Sequence, residues 1–191
     1  DLCRNMYGLD GQPGMSRYLR IRYNNCVKFD GIDFIDACLT EPLAVSLNSV
    51  IDASIPLNGS VVIIGGGPIG LMAARVARLH GAGFVALTQT NTRRRRGKIR
   101  AELATKLGTD LVIDPSEEDL EQVFRKKFPQ GVDRVIVTAP PEAIPDAIRI
   151  IRYGGIITFL GLHFGGKNII PLDINHLIFN KITLQPSFAE P

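Results

Sequence analysis

The 191-residue chain carries 22 Lys and Arg against 19 Asp and Glu, a formal net charge of +3, with 45% hydrophobic and 21% charged residues. That balance suits a globular fold with a sizeable core; it excludes wholesale disorder and the charge excess of a dedicated nucleic-acid-binding arm. The longest weakly charged apolar stretch, Val61 to Ala74, is shorter than the ~18 residues a bilayer span needs and is broken by glycines and Pro68, so no membrane span is expected. Trp is absent and aromatics are 7%, so the core must be aliphatic. Cys3, Cys26 and Cys38 cannot all pair and form no CxxC, which points to a reducing, cytoplasmic compartment. The opening Asp1-Leu-Cys-Arg4 has neither an initiator Met nor a signal-peptide pattern, and the chain reads as a fragment.

In chain order, the first forty residues are irregular, punctuated by Gly8, Gly11, Pro13, Gly14 and Gly31, with Tyr18–Ile21 reading as an edge strand or extended connection. From Thr40 a helix is expected, with Pro42 in its first turn and apolar residues at Leu43, Leu47, Val50 and Ile51. Then short apolar runs alternate with amphipathic ones. Strands are predicted at 61–64, 84–87, 111–113, 134–137, 156–160 and from 182, and helices at 70–80, 96–107, 117–128 and 142–151. Gly81, Gly108, Gly131 and the Gly154-Gly155 pair are read as helix-ending turn-formers. Non-alternating Val/Ile strands between helices mark a parallel sheet covered on both faces. The expected fold is α/β, a doubly wound (Rossmann) parallel sheet of about six strands in the order 3-2-1-4-5-6, with a short irregular or β leader. The expected division is residues 1–50 as leader and connecting helix and 51–191 as the dinucleotide-binding domain.

Gly65-Gly-Gly-Pro-Ile-Gly70 lies directly between a predicted strand and a predicted helix. Gly65, Gly67 and Gly70 form GxGxxG: the first allows a tight turn, the second lets a pyrophosphate approach the backbone, the third lets helix and strand pack closely. The helix N-terminus adds unpaired amides and a partial positive charge. Pro68 has no N–H, so Gly67 and Ile69 are the expected amide donors.

An NAD site asks for a carboxylate about 20 residues past this loop, to hold the adenosine ribose. Gln89 stands there instead, 19 residues after Gly70, and Thr88–Thr92 contains no acid. Arg93-Arg-Arg-Arg96 follows. Guanidinium groups bind phosphate bidentately, so Gln89, Thr90, Asn91, Arg93 and Arg94 lean towards NADP, with NAD the alternative; the competing reading is a solvated helix start. Balanced charge around the run (Glu102, Asp110, Asp114, Glu117, Glu118) argues against nucleic acid.

Glu41-Pro-Leu-Ala-Val45, Val61-Val-Ile-Ile-Gly-Gly-Gly-Pro-Ile-Gly-Leu-Met-Ala73, Leu107-Gly-Thr-Asp110, Gly131–Val137 and Tyr153–Gly161 follow in order, and together they resemble the zinc-containing medium-chain alcohol dehydrogenases, notably the sorbitol, threonine and glucose dehydrogenase branches. The resemblance implies the cofactor-binding domain of an NAD(P)-dependent, zinc-dependent dehydrogenase acting on a small alcohol, polyol or sugar. It implies Thr138, Ala139, Leu160 and Gly161 at the nicotinamide and Glu41 beside or on the catalytic zinc. It further implies Cys3 as one of four structural-zinc thiolates whose partners the chain does not supply. Zinc would belong to the intact enzyme and is not expected to be fully ligated in this fragment, which alone should be inactive. By the same resemblance the last strand would pair with its counterpart in a homodimer. The alternative is a non-catalytic dinucleotide-binding, redox-sensing module, for which Glu41-Pro-Leu-Ala44 would have no evident purpose.

Overall fold

The structure, a computed structural model, describes residues 17–163 and 169–188. Two compact units make up the chain, 1–39 and 40–191. The described part of the first contains a single 3-10 turn at Tyr23–Asn25 and a one-turn helix, α1 (Phe34–Ala37). Asp33 caps α1 by accepting a bond from the Asp36 amide at 2.8 Å, and Phe29 packs edge-on against Phe34. Of the two readings of Tyr18–Ile21, edge strand or extended connection, the strand does not form: no described residue of this unit is in a strand. A strand takes its hydrogen bonds from a neighbour, which alternation in the sequence does not provide.

The second compact unit begins with α2 (Thr40–Ala53). Tertiary packing is the reason. Val50 and Ala53 are buried in the same cluster as Val61 and Leu71, and the Ser46 hydroxyl donates to the carbonyl of Ile69 at 3.1 Å. Next come β1 (Ser60–Ile64), α3 (Pro68–Leu79), β2 (Phe84–Thr88), α4 (Arg95–Lys106) and β3 (Leu111–Ile113). The chain continues through α5 (Leu120–Lys127), β4 (Val132–Val137), α6 (Ile144–Ile150) and β5 (Ile151–Phe159), then α7 (Ile174–Phe179) and β6 (Thr183–Pro186). The six strands are all parallel, in the expected order β3-β2-β1-β4-β5-β6.

Every residue of β1 is buried, because the sheet is covered on both faces. Val61 and Ile63 point into one layer with Leu71, Ala73 and Ala77 of α3 and Ala104 of α4. Val62 and Ile64 point into the other, with Leu120 and Phe124 of α5 and Ala147 and Ile150 of α6. The alanines let α3 lie close to the sheet. Phe124, fully buried, fills the second layer, and truncating such a ring to Ala typically costs about 3–5 kcal/mol.

One sequence expectation about glycine is corrected. The Gly154-Gly155 pair does not end a helix. It lies inside β5 at an irregularity where Val132 pairs with Ile151 but Arg134 pairs with Ile156. Gly154 there takes φ +66°, and a side chain on Gly155 would run into Ile151. Periodicity did not reveal α7, which is short; its start is set by Asp173 accepting the His176 amide at 3.0 Å. No helix among the described residues is long and apolar enough to cross a membrane.

Candidate dinucleotide-binding site

The strand order reverses at β1, which pairs with β2 on one side and β4 on the other. Helices after β1 and after β4 therefore leave on opposite faces, opening a crevice at the carboxyl ends of the strands. The glycine loop lies there. Gly65 has φ +119°, and a Cβ on it would come 2.7 Å from Thr138 Oγ1 and 2.9 Å from the Ala139 amide. A Cβ on Gly70 would collide with the Gly65 carbonyl, whereas one on Gly67 would meet nothing. Gly65 and Gly70 thus bring loop, helix and β4 together, and Gly67 keeps an open face. Gly67 is the N-cap of α3 and Pro68 its first residue. The first amides of a helix have no partner within it, so Ile69 and Gly70 join Gly67 in presenting N–H groups at this end.

Around the loop, Thr138 Oγ1 donates to the Gly65 carbonyl at 3.0 Å, and the Thr138 and Ala139 amides both donate to the Ile64 carbonyl. The Leu160 amide donates to the Val137 carbonyl at 3.1 Å, and a Cβ on Gly161 would strike the Ala139 carbonyl. Thr138, Ala139, Leu160 and Gly161 are therefore gathered at adjacent strand ends, next to the glycine loop.

Two clefts continue the crevice past β2. One, about 280 Å³, lies between Gly65 and Gly66, Thr88 and Gln89, Pro115 and Ala139. The other, about 430 Å³, is lined by Gln89, Thr90 and Asn91 and by Arg94, Arg96 and Arg100. Gln89 and Arg100 border both. Gln89 is 6% exposed; its Nε2 donates to the Thr90 carbonyl at 2.6 Å, while its buried Oε1 has no hydrogen-bond partner. An orphaned acceptor over a glycine cradle fits a ligand hydroxyl. Arg94 is the N-cap of α4 and Arg96 lies in its first turn, where like-signed charge opposes the helix dipole; Arg100 lies one turn further on. Among the described residues Arg94, Arg96 and Arg100 have no ion-pair partner, which fits an anionic ligand. Arg93 differs from the expectation. It does not line the cleft and instead pairs with Glu117 at 2.9 Å, largely in solvent. Arg96 entered the sequence reading only as the end of the run, and Arg100 is the residue that it missed; a helical spacing of four from Arg96 was the available signal.

Asp114, at the end of β3, is 4% exposed. Burial alone would raise its pKa, but hydrogen bonds from Ser116 and Thr92 outweigh it and hold the carboxyl down at about 2.

Metal donors are not assembled in the same way. Glu41 is exposed in the first turn of α2, and Cys3 lies outside the described residues. Among the described residues no three His, Cys, Asp or Glu side chains come together to hold a metal ion. His163 Nδ1 lies 2.9 Å from Glu142 Oε1, an isolated pair.

The family model of the zinc-binding dehydrogenases matches residues 68–190, most of this unit. The chain belongs to that family. It is 33% identical over 163 residues to the L-galactonate-5-dehydrogenase of Escherichia coli K12, covering 84% of this chain and 46% of that protein. It is 30% identical over 194 residues to the sorbitol dehydrogenase of Bacillus subtilis 168, covering 98% of this chain and 53% of that one. The chain thus spans about half the length of the curated relatives it matches. A protein from Sinorhizobium meliloti 1021, described as a zinc-binding dehydrogenase and solved bound to NADP, superposes with a TM-score of 0.73 at 30% identity. That match covers 84% of this chain and 46% of the solved one.

Proposed function

We propose that this zinc-binding dehydrogenase chain seats the dinucleotide, preferentially NADP, of an enzyme that oxidises a small alcohol, polyol or sugar. The observation that carries the reading is the pairing of a glycine cradle with the clefts around Gln89. The cradle is formed by Gly65, Gly67, Pro68, Ile69 and Gly70, and Gln89 is neutral, buried and half-satisfied. The amides of Gly67 and Ile69 would hold the pyrophosphate, and Gln89 Oε1 would accept a ribose hydroxyl. Arg94, with Arg96, Arg100, Thr90 and Asn91, would meet a 2′-phosphate. Thr138, Ala139, Leu160 and Gly161 would border the nicotinamide and exclude water from its face. When bound, the dinucleotide supplies a hydride acceptor.

A carboxylate in place of Gln89 would repel a 2′-phosphate; the neutral amide does not. Family membership favours this reading over a redox sensor, and the solved relative bound to NADP supports the choice of dinucleotide. The same reading places zinc in the intact enzyme, with Glu41 beside it and Cys3 in a separate structural site, leaves the chain alone without turnover, and puts the protein in the cytoplasm. It also takes β6, at the sheet edge with β5 on one side, as the seat of a homodimer. No nucleic acid or membrane partner is part of it.

Fluorescence titration of the purified chain with NADPH and NADH tests the proposal. NADPH should bind about tenfold more tightly at low salt, a gap that narrows as salt screens exposed charge. Equal affinities at all salt concentrations would refute the NADP preference, and binding of neither would refute the reading as a whole.

A further inference from the structure

The loop after β2 is an unusual strut for a binding site. Thr90 and Asn91 are exposed, and Asn91 sits at φ +57°, a conformation that costs energy in a residue other than glycine. Yet this loop sets where α4 begins, because the Arg94 amide donates to the Asn91 carbonyl at 2.9 Å and the Lys98 amide to the Arg94 carbonyl. The bare Gly97 allows that packing, since a Cβ there would collide with the Asn91 carbonyl. Whatever holds residues 90–92 therefore aims Arg94 and Arg96.

The hold comes from β3. The Gln89 amide donates to the Ile113 carbonyl at 2.8 Å, extending the strand pairing up to Asp114. Asp114 Oδ2 then accepts from the Thr92 amide at 2.8 Å and the Thr92 hydroxyl at 3.0 Å. Its Oδ1 accepts from the Ser116 amide at 3.1 Å and the Ser116 hydroxyl at 2.5 Å. Both carboxylate oxygens are thus committed to donors on two loops, on a nearly buried side chain. Such a carboxylate is ill placed to serve a ligand and well placed to tie the loops. The Arg93–Glu117 pair joins the same two loops, but exposed pairs of this kind contribute little.

We propose that Asp114 is a positioning residue for dinucleotide selectivity, fixing through Thr92 the loop that presents Arg94 and Arg96 to the 2′-phosphate. The inference rests on the NADP reading above. It separates two parts of one ligand. The adenosine common to both dinucleotides lies against Gln89 and the glycine loop, which Asp114 does not touch. Only the 2′-phosphate needs residues 90–96 in place, so loosening the loop should weaken NADP and spare NAD. The carboxylate also carries negative charge, and were repulsion its main effect on a phosphate, removing it would tighten NADP instead.

The experiment titrates NADPH and NADH, by fluorescence, against the unaltered chain and the Asp114→Ala, Asp114→Asn and Asp114→Ala/Thr92→Ala variants. Asp114→Ala should lower NADPH affinity about tenfold and NADH affinity less than about twofold, as loss of charge-assisted hydrogen bonds implies. Asp114→Asn, which keeps one acceptor oxygen, should fall between, and Thr92→Ala should add nothing once Asp114 is gone. Hydrogen exchange at the Thr92 amide should quicken in Asp114→Ala, a readout independent of ligand. Parallel weakening of both dinucleotides, tighter NADPH binding, or unchanged exchange at Thr92 would each overturn the proposal. If the unaltered chain prefers NADPH and only the variants fail to behave so, the positioning role falls alone. If the unaltered chain binds neither dinucleotide, the functional reading falls and takes this role with it.

Discussion

The two ends of the sheet treat charge in opposite ways. At the amino ends of the strands, charged groups are paired and satisfied. Asp133 accepts the Ser60 amide and hydroxyl at 2.8 and 2.7 Å and Arg152 Nε at 2.6 Å. Arg134 Nε donates to the Ala53 carbonyl at the end of α2, and Arg78 binds the Gly108 carbonyl and Asp110. At the carboxyl ends, Gln89 keeps an orphaned oxygen, and Arg94 and Arg96 sit at a helix N-terminus that disfavours them, with Arg100 beside them in the same cleft. The charged groups at one end bind one another and hold the fold; at the other, Asp114 apart, Gln89 and the cleft arginines are left for something else to meet. Locally unfavourable choices gather where a ligand would repay them.

The largest expected effect breaks the carboxyl end outright. Gly70→Val drives a side chain into the Gly65 carbonyl and Thr138 Oγ1, so NADPH affinity should fall about a hundredfold or more and stability by about 1–3 kcal/mol. Retained binding in a titration would mean that the cradle is not the pyrophosphate site.

Asp133→Ala strikes the opposite end and should separate stability from binding. It leaves the Ser60 amide and Arg152 without their acceptor, at a cost of about 2–3 kcal/mol in chemical denaturation with NADPH affinity unchanged. Burial opposes ionisation of Asp133, but the bonds from Ser60 and Arg152 prevail and lower its pKa. A lowered folded-state pKa means that the unfolded chain binds more protons, so the stabilisation is present above about pH 4 and fades as pH falls below it. A denaturation series from pH 6 to pH 3 should therefore show a shallower loss in Asp133→Ala than in the unaltered chain.

Smaller effects sharpen the contrast. Arg94→Ala with Arg96→Ala should cut NADPH affinity about tenfold while raising the ligand-free chain's stability by about 0.3–1 kcal/mol, since cations leave a helix N-terminus. A stability loss would show that these side chains serve the fold. Smallest of all is Arg93→Ala, whose exposed pairing with Glu117 should be worth under about 0.5 kcal/mol and leave NADPH affinity within about twofold.

Much of the fold was readable because its causes are local. Val61–Ile64 and Phe84–Leu87 are apolar without alternation, which a strand covered on both faces requires. Gly81 and Gly108 follow α3 and α4 with φ of +100° and +96°, a conformation that glycine adopts without strain. Gly154 misled for the same reason: it too has positive φ, but in a strand irregularity set by the pairing of β5 with β4, which no local pattern records. Similarly, α2 reads as a connector in the sequence, and only its packing against α3 makes it part of the sheet unit.

The site divides along the same line. GxGxxG, the missing acid at Gln89 and the run Arg93–Arg96 are contiguous features, and the amino-acid sequence alone determined them, because turn geometry and charge act within a few residues. Which arginines line the cleft was settled by the helix and by the loop ahead of it: Arg96 and Arg100 lie four apart on one face of α4, Arg94 is its N-cap, and Arg93, before it, pairs with Glu117. The role of Asp114 arose only once β2 and β3 paired with Thr88 opposite Ile113, which carried a carboxylate 22 residues from Thr92 to within hydrogen-bonding distance of it. Registers of that kind are set by the burial of whole strands, and only the tertiary structure decides them.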